Sequence, residues 1–125
     1  MFLRKNNSKL EALIGVNTEF NGNINTNGTF RIDGKYTGNI VADWVILGNN
    51  ASVKGDITAK CVVISGAIEG NVSAEDLVEI KHTGSIKGDI HTKKLSVAEG
   101  GVFEGRSLIQ KEDGKVIDFK EAASK

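Results

Sequence analysis

A short glycine motif recurs six times along this chain, and it constrains the fold more than any other feature. Each copy has an apolar or aromatic residue, any residue, a glycine, a small polar residue and an aliphatic residue. The copies begin at Phe20, Tyr36, Val53, Ile68, Ile86 and, in a decayed form, Phe103. The motif glycines lie 15–18 residues apart, with a mean of about 16.6. Such self-similarity is typical of repeat architectures.

An apolar pair with two-residue spacing precedes each copy of the motif. The pairs are Ile14 and Val16, Phe30 and Ile32, Val45 and Leu47, Val62 and Ile64, Val78 and Ile80, and Leu95 and Val97. Alternate residues of a strand face the same side, so this spacing indicates strands with one buried face. Each repeat therefore predicts two or three short strands that bend at glycine or asparagine.

A period near 17 residues, with strand signals and no helix signals, predicts one coil of a β-solenoid. We expect an all-β, single-domain, right-handed parallel β-helix of about six coils of 15–18 residues. Strict hexapeptides, which are usual in left-handed solenoids, are absent. The predicted division is a flexible N-terminal segment at 1–12, the β-helix at 13–107 and a polar, disordered tail at 108–125.

Two outward columns support this register. The residues before the motif glycines include Lys54, Glu69, Lys87 and Glu104, which would alternate in sign between stacked coils. The residues after the glycines are mostly Asn or Asp, which can satisfy the turn backbone and bond stacked neighbours. Ordinary solvated surface is the alternative interpretation of both columns.

Composition excludes several functions. Sixteen basic residues balance sixteen acidic ones, which argues against a dedicated nucleic-acid binder. No apolar run approaches the roughly 18 residues of a transmembrane helix. His82 and His91 lack metal-ligand spacing, Cys61 has no obvious base partner, and no phosphate-loop motif occurs. We therefore predict no catalytic residues, no cofactor and no metal site.

The residues also carry a family resemblance. The Gly-Asn/Asp-Ile/Val motifs at 15–18-residue spacing, the segment from Phe30 to Ile40 and the closing segment from Gly100 to Gly105 resemble the bactofilins over about residues 13–107. The resemblance implies a triangular right-handed β-helix and a bacterial cytoskeletal protein that polymerises without nucleotide. It also implies a scaffold for cell-shape, cell-wall or polar-localisation machinery.

A solenoid exposes open strand edges at its ends, which are templates for further pairing. Neither flank of the repeats reads as a cap, so we expect end-to-end stacking into a homopolymer. The residues predicted at the two joints are Ile14, Val16 and Phe20 at one end, and Val97, Val102 and Phe103 at the other. Aromatics that fill wider end coils of a monomer are the alternative. Like or unlike ends can meet, which gives a non-polar or a polar filament.

The first residues combine an apolar start with positive charge. Met1, Phe2 and Leu3 precede Arg4 and Lys5, a pattern that suits the interface of an anionic membrane. A disordered start is the alternative. With the resemblance, this predicts a cytoplasmic protein lying on the inner face of the cell membrane, with cell-wall or polarity proteins as partners.

One outward face is expected to be apolar. If the paired residues of the middle coils point inward, then Trp44, Ile46, Cys61, Val63 and Leu77 point outward on adjacent coils. Contiguous exposed apolar surface usually marks a contact. The candidates are lateral filament pairing, a partner protein or the chain's own tails.

Two other functions compete with the filament. A small solenoid acyltransferase would need strict hexapeptides, a trimer and an active-site histidine in a cleft. A capped monomeric binding scaffold would stay monodisperse at high concentration.

Overall fold

The computed structural model describes residues 10–110 and 116–120, and all the regular elements in these residues are strands. The strands are β1 (Leu10–Ile14), β2 (Glu19–Asn21), β3 (Ile24–Asn25), β4 (Thr29–Ile32), β5 (Lys35–Thr37), β6 (Ile40–Val41), β7 (Trp44–Leu47), β8 (Ser52–Lys54), β9 (Ile57–Ile64), β10 (Ala67–Glu69), β11 (Val72–Ile80), β12 (Ser85–Lys87), β13 (Ile90–Val97), β14 (Val102–Glu104), β15 (Arg106–Gln110) and β16 (Val116–Lys120).

Stacked coils pair in parallel through three strand positions, which define three faces. The motif face is the six-stranded sheet β2-β5-β8-β10-β12-β14. The second face contains β3, β6, the first halves of β9, β11 and β13, and β15. The third face contains β1, β4, β7 and the second halves of β9, β11 and β13. The predicted all-β parallel solenoid of about six coils is confirmed.

The motif glycines form the corner between the motif face and the second face. Their φ angles lie between +135° and +145°, a region that residues with a side chain rarely adopt. They also stack directly on one another, so a Cβ on Gly70 would overlap the carbonyl oxygen of Gly55. The repeat therefore needs glycine at this corner both for its φ and for the approach of the next coil.

The core is one continuous column of inward side chains. Phe30, Ile32 and the paired residues of the next three coils are at most 1% exposed, whereas Leu95 and Val97 in the last coil are half-buried. The first pair was predicted incorrectly, because the register sets Ala12 beside Phe30 and Ile14 beside Ile32. Val16 is 59% exposed, since the chain turns after Ile14 and the N–H of Thr18 donates to the carbonyl of Gly15.

The column after the motif glycines forms a hydrogen-bonded ladder along the solenoid. The N–H groups of Asn39, Asp56, Asn71 and Asp89 donate to the Oδ1 atoms of Asn23, Asn39, Asp56 and Asn71, respectively, over 2.9–3.2 Å. An aspartate oxygen accepts as well as an amide oxygen, so both residue types serve here.

The charge ladder before the glycines is weaker. Lys54 lies 4.0 Å from Glu69, and both side chains are more than half exposed. Such exposed pairs contribute about 0–1 kcal/mol.

The C-terminal region departs from the disordered tail predicted for 108–125. Leu108 and Ile109 continue β15 in parallel register with β13, and β16 then pairs antiparallel with β15. These residues form strands because the outer edge of β15 offers backbone groups that a following strand can pair. At the other end β1 begins at Leu10, before the predicted boundary at 13.

Candidate self-association surfaces

The N-terminal end of the solenoid presents strands with a free edge. Within the described residues, β1, β2 and β3 pair only with β4, β5 and β6 of the next coil. One face of the Phe20 ring stacks on Tyr36, with ring centroids 5.3 Å apart. The side chain as a whole stays half-buried. Ile14 is buried and Val16 is exposed outside the strand. Of the three residues predicted here, Phe20 combines an inward position with remaining exposure.

The C-terminal end is open on two faces and covered on the third. In the part of the chain that the structure describes, β14 pairs only with β12, and residues 94–97 of β13 pair only with β11. The edge of β15 is instead occupied by β16. Inward residues Leu95 and Val97 stay half-buried at this end, and Val102 is 37% exposed on the surface.

Phe103 was predicted at the C-terminal joint, but its ring is already buried without a second molecule. It is 2% exposed in the single chain and belongs to the core. The chain itself therefore covers this ring. Half-buried Val97 has more apolar surface left to offer a neighbouring molecule.

The third face has an apolar patch, defined by Trp44, Ile46, Cys61, Val63 and Leu77. Parallel pairing aligns Trp44, Cys61 and Leu77 in one column and Ile46 and Val63 in the next. These residues alternate with buried inward neighbours, so their side chains lie on the outside of the sheet, as predicted. Four are half-buried, whereas Cys61, a small residue flanked by Trp44 and Leu77, is 9% exposed.

Burial raises the pKa of the Cys61 thiol, and the nearby carboxylate of Asp76 raises it further. A raised thiol pKa lowers the thiolate fraction at neutral pH and hence the reactivity of the sulfur. Cys61 is therefore a packing residue of the patch.

Charged pairs that the repeat pattern did not predict border the apolar patch along the solenoid axis. Arg31, beside Ile46, binds Asp33 with Nε–Oδ2 and Nη2–Oδ1 distances of 2.9 and 3.1 Å. Glu79, beside Val63, lies 3.0 Å from the amine of Lys81. The sequence does carry a signal for these pairs, because opposite charges lie two residues apart in Arg31-Ile32-Asp33 and in Glu79-Ile80-Lys81. The cation comes first in one segment and the anion first in the other.

The two histidines, for which no catalytic role was predicted, lie on different parts of the solenoid. His82 is exposed at a turn, and exposed His91 borders a shallow groove that also involves Ala59, Ala74 and Lys60. The described residues contain no group of three or more His, Cys, Asp or Glu side chains placed to hold a metal ion. Residues 10–110 and 116–120 likewise contain no helix that could cross a bilayer. The residues predicted to reach a membrane, Met1, Phe2, Leu3, Arg4 and Lys5, lie outside the described residues.

Over residues 10–110 and 116–120 the chain is a parallel solenoid with unpaired strand edges at both ends, and such edges are templates for pairing with another chain. The sequence model of the bactofilins, described as polymer-forming cytoskeletal, matches residues 12–108. This chain belongs to the bactofilin family.

Individual relatives agree with this assignment. Bactofilin BacO of Myxococcus xanthus (strain DK1622) is 29% identical over 105 residues, which cover 83% of each chain. Bactofilin BacP of the same organism is 24% identical over 96 residues, which are 76% of this chain and 40% of BacP. The fold also matches a chain from a cryo-EM reconstruction of Thermus thermophilus bactofilin double helical filaments. That match has a TM-score of 0.73 and 26% identity, and it covers 79% of this chain and 99% of that one.

Proposed function

We propose that this chain is a cytoskeletal scaffold that polymerises without nucleotide by end-to-end stacking of its solenoids. It would lie on the inner face of the cytoplasmic membrane and organise cell-shape, cell-wall or polar-localisation machinery. The observation that carries the proposal is that, among the described residues, both ends of a solenoid from a polymer-forming family have strand edges with no partner. Stacking another chain on these edges would pair their N–H and C=O groups and extend the core column.

Val97 is the best residue at which to test the end joint. It is inward and half-buried, so an arginine there can still reach water in the monomer, but would be buried and unpaired in a joint. Phe103→Arg is less informative, because this fully buried position would force the charge into the chain's own core. Val41→Arg is the matched control, since Val41 is 42% exposed in the middle of the solenoid.

Negative-stain electron microscopy in plain buffer should show filaments for the wild type and Val41→Arg. Val97→Arg should give only small folded particles, with an unchanged far-UV circular dichroism spectrum. If Val97→Arg formed filaments like those of the wild type, Val97 would not lie at the joint. Discrete wild-type trimers would instead favour the acyltransferase, and monodisperse wild-type monomers the capped scaffold.

Membrane association would depend on the first five residues acting in many copies. One Phe and one Leu contribute only a few kcal/mol when buried, so a monomer would bind marginally and a filament by avidity. Phe2→Glu should abolish co-sedimentation of filaments with anionic vesicles. Asn6→Glu adds the same charge without removing an apolar side chain and should retain most binding. Equal binding by both variants and the wild type would contradict this role for Phe2.

Filaments of this chain are also proposed to pair laterally. The support is the double helical arrangement of the T. thermophilus relative, together with the apolar patch on the third face. Pairing would double the copies of the N-terminal segment along one line of membrane and stiffen the scaffold.

A further inference from the structure

The apolar patch and its charged borders point to one way in which two copies of this chain can meet. We propose that the third faces of two copies pack together with their solenoid axes antiparallel, related by a two-fold axis parallel to the strands. This inference rests on the proposed filament, and it specifies the surface and orientation through which filaments pair.

The order in which residues stack along the third face determines which side chains this two-fold axis places opposite each other. Along the solenoid the middle column of the third face reads Arg31, Ile46, Val63 and Glu79. Reversal of this order places Arg31 of one copy opposite Glu79 of the other, and Ile46 opposite Val63. Adjacent coils are about 4.8 Å apart, so these four rows span about 14 Å.

The neighbouring column fits the same operation. Backbone hydrogen bonds align Asp33, Gly48, Ser65 and Lys81 on consecutive coils. Antiparallel packing therefore sets Asp33 opposite Lys81, beside Arg31 opposite Glu79. Each end of the contact becomes a cluster of two cations and two anions, in which every charge has an opposite partner both in its own chain and across the interface.

Side-chain size also matches in the remaining column. Reversal places Trp44 of one copy opposite Cys61 of the other, a large side chain against the smallest of the patch. Gly48 lies opposite Ser65, and the space above Gly48 is taken by two side chains of its own chain. The Arg31 guanidinium and Asp33 carboxylate lean over Gly48, toward the middle of the contact.

A parallel arrangement does not combine these features. In a parallel arrangement the two-fold axis lies between the two faces and runs parallel to the solenoid axes. Such a two-fold pairs Arg31 with Asp33 of the other copy only when the two faces are displaced sideways by half the distance between columns. That offset places Trp44, Cys61 and Leu77 beyond the opposing face. Centring the apolar patch instead would bury the Glu79 carboxylate against Leu77. Antiparallel packing buries the patch and pairs its borders together.

Exposure is consistent with a surface prepared for contact. The side chains of Arg31 and Lys81 are each 44% exposed, and those of Asp33 and Glu79 are 21% and 34% exposed. Each pair is already held in place by its own ion pair, so little side-chain freedom is lost on association.

Exchanging the charges within one pair tests the orientation without changing the net charge or removing the ion pair inside the chain. In R31E/D33K the first border is inverted, and in E79K/K81E the second. Each double variant alone would set like charges against like across an antiparallel contact. A parallel contact would keep opposite charges together in both. The quadruple variant restores every antiparallel pair, as does a mixture of preformed filaments of the two double variants.

Cryo-EM class averages of filaments give the fraction that is paired. We expect mostly paired filaments for the wild type, loss of pairing with intact single filaments for each double variant, and recovery in the quadruple variant and the mixture. Pairing that survives in the double variants would overturn the antiparallel contact, as would failure of the quadruple variant and mixture to recover it. Wild-type filaments that are all single would also overturn it and would leave the patch to the chain's own terminal segments. Absence of any wild-type filament would refute the proposed function instead.

Discussion

Replacing a motif glycine by alanine separates the two reasons why the corner of each coil requires glycine. Gly70 and Gly22 have φ angles of +145° and +143°, so alanine suffers the same backbone strain at both. Their surroundings differ, because a Cβ at Gly70 overlaps the carbonyl of Gly55, whereas at Gly22 it meets the Phe20 ring at 3.3 Å. Gly22→Ala is therefore the matched control for Gly70→Ala.

The magnitudes follow from these two contributions. An alanine at such a positive φ costs about 1–3 kcal/mol, which applies to both variants. Overlap with a rigid carbonyl adds about 1–3 kcal/mol at Gly70 only, because the coil must move, whereas the Phe20 ring at Gly22 can rotate. For a chain of this length that difference corresponds to about 4–12 °C in Tm.

Thermal unfolding of both variants and the wild type, followed by far-UV circular dichroism, measures this difference. The protein should be at the lowest concentration that gives a signal, so that assembly contributes little. We expect both variants to melt below the wild type, and Gly70→Ala to melt lowest. Equal losses would refute close stacking as a reason for the glycine repeat, and a wild-type Tm for Gly22→Ala would refute the backbone argument.

Three further outcomes are expected. Burial raises the pKa of Tyr36, so the unfolded chain loses the phenol proton first, and stability should fall as pH rises above about 10. Tyr36→Phe should remove that dependence in urea unfolding at several pH values. It should also cost about 1–3 kcal/mol, because the single hydroxyl proton is donated to the Gly22 carbonyl at 2.7 Å, with the Asn39 carbonyl at 3.1 Å as a weaker second acceptor. Asp56→Ala should cost about 0.5–1.5 kcal/mol through loss of the ladder bond, whereas Asp56→Asn keeps it; equal urea midpoints would contradict the ladder. Alkylation of Cys61 should have a midpoint above the pH of about 8.5 expected for a free thiol, and Asp76→Asn should lower it in part; a midpoint at or below 8.5 would contradict the burial.

Local repetition made most of the fold predictable. A glycine at a positive φ every 15–18 residues, preceded by an apolar pair, defines one coil, and coils of similar length can stack in one register that buries the pairs of the second to fifth coils. The outward position of Trp44 and Ile46 follows from the same alternation. The pattern was less informative at the first coil, where Val16 has the right spacing but lies within the turn that follows β1.

The amino-acid sequence by itself determined the solenoid, its core column and the location of the apolar patch, because each depends on neighbours at a constant spacing. Only the tertiary structure decided what happens where that spacing stops. Phe103 is covered by its own chain and β16 pairs with β15, since an end coil is shaped by whatever reaches its free edge. The tertiary structure also set Arg31 and Glu79 three coils apart on one face, with their ion pairs inverted. That relation depends on how coils stack, because the two residues are 48 positions apart in the chain.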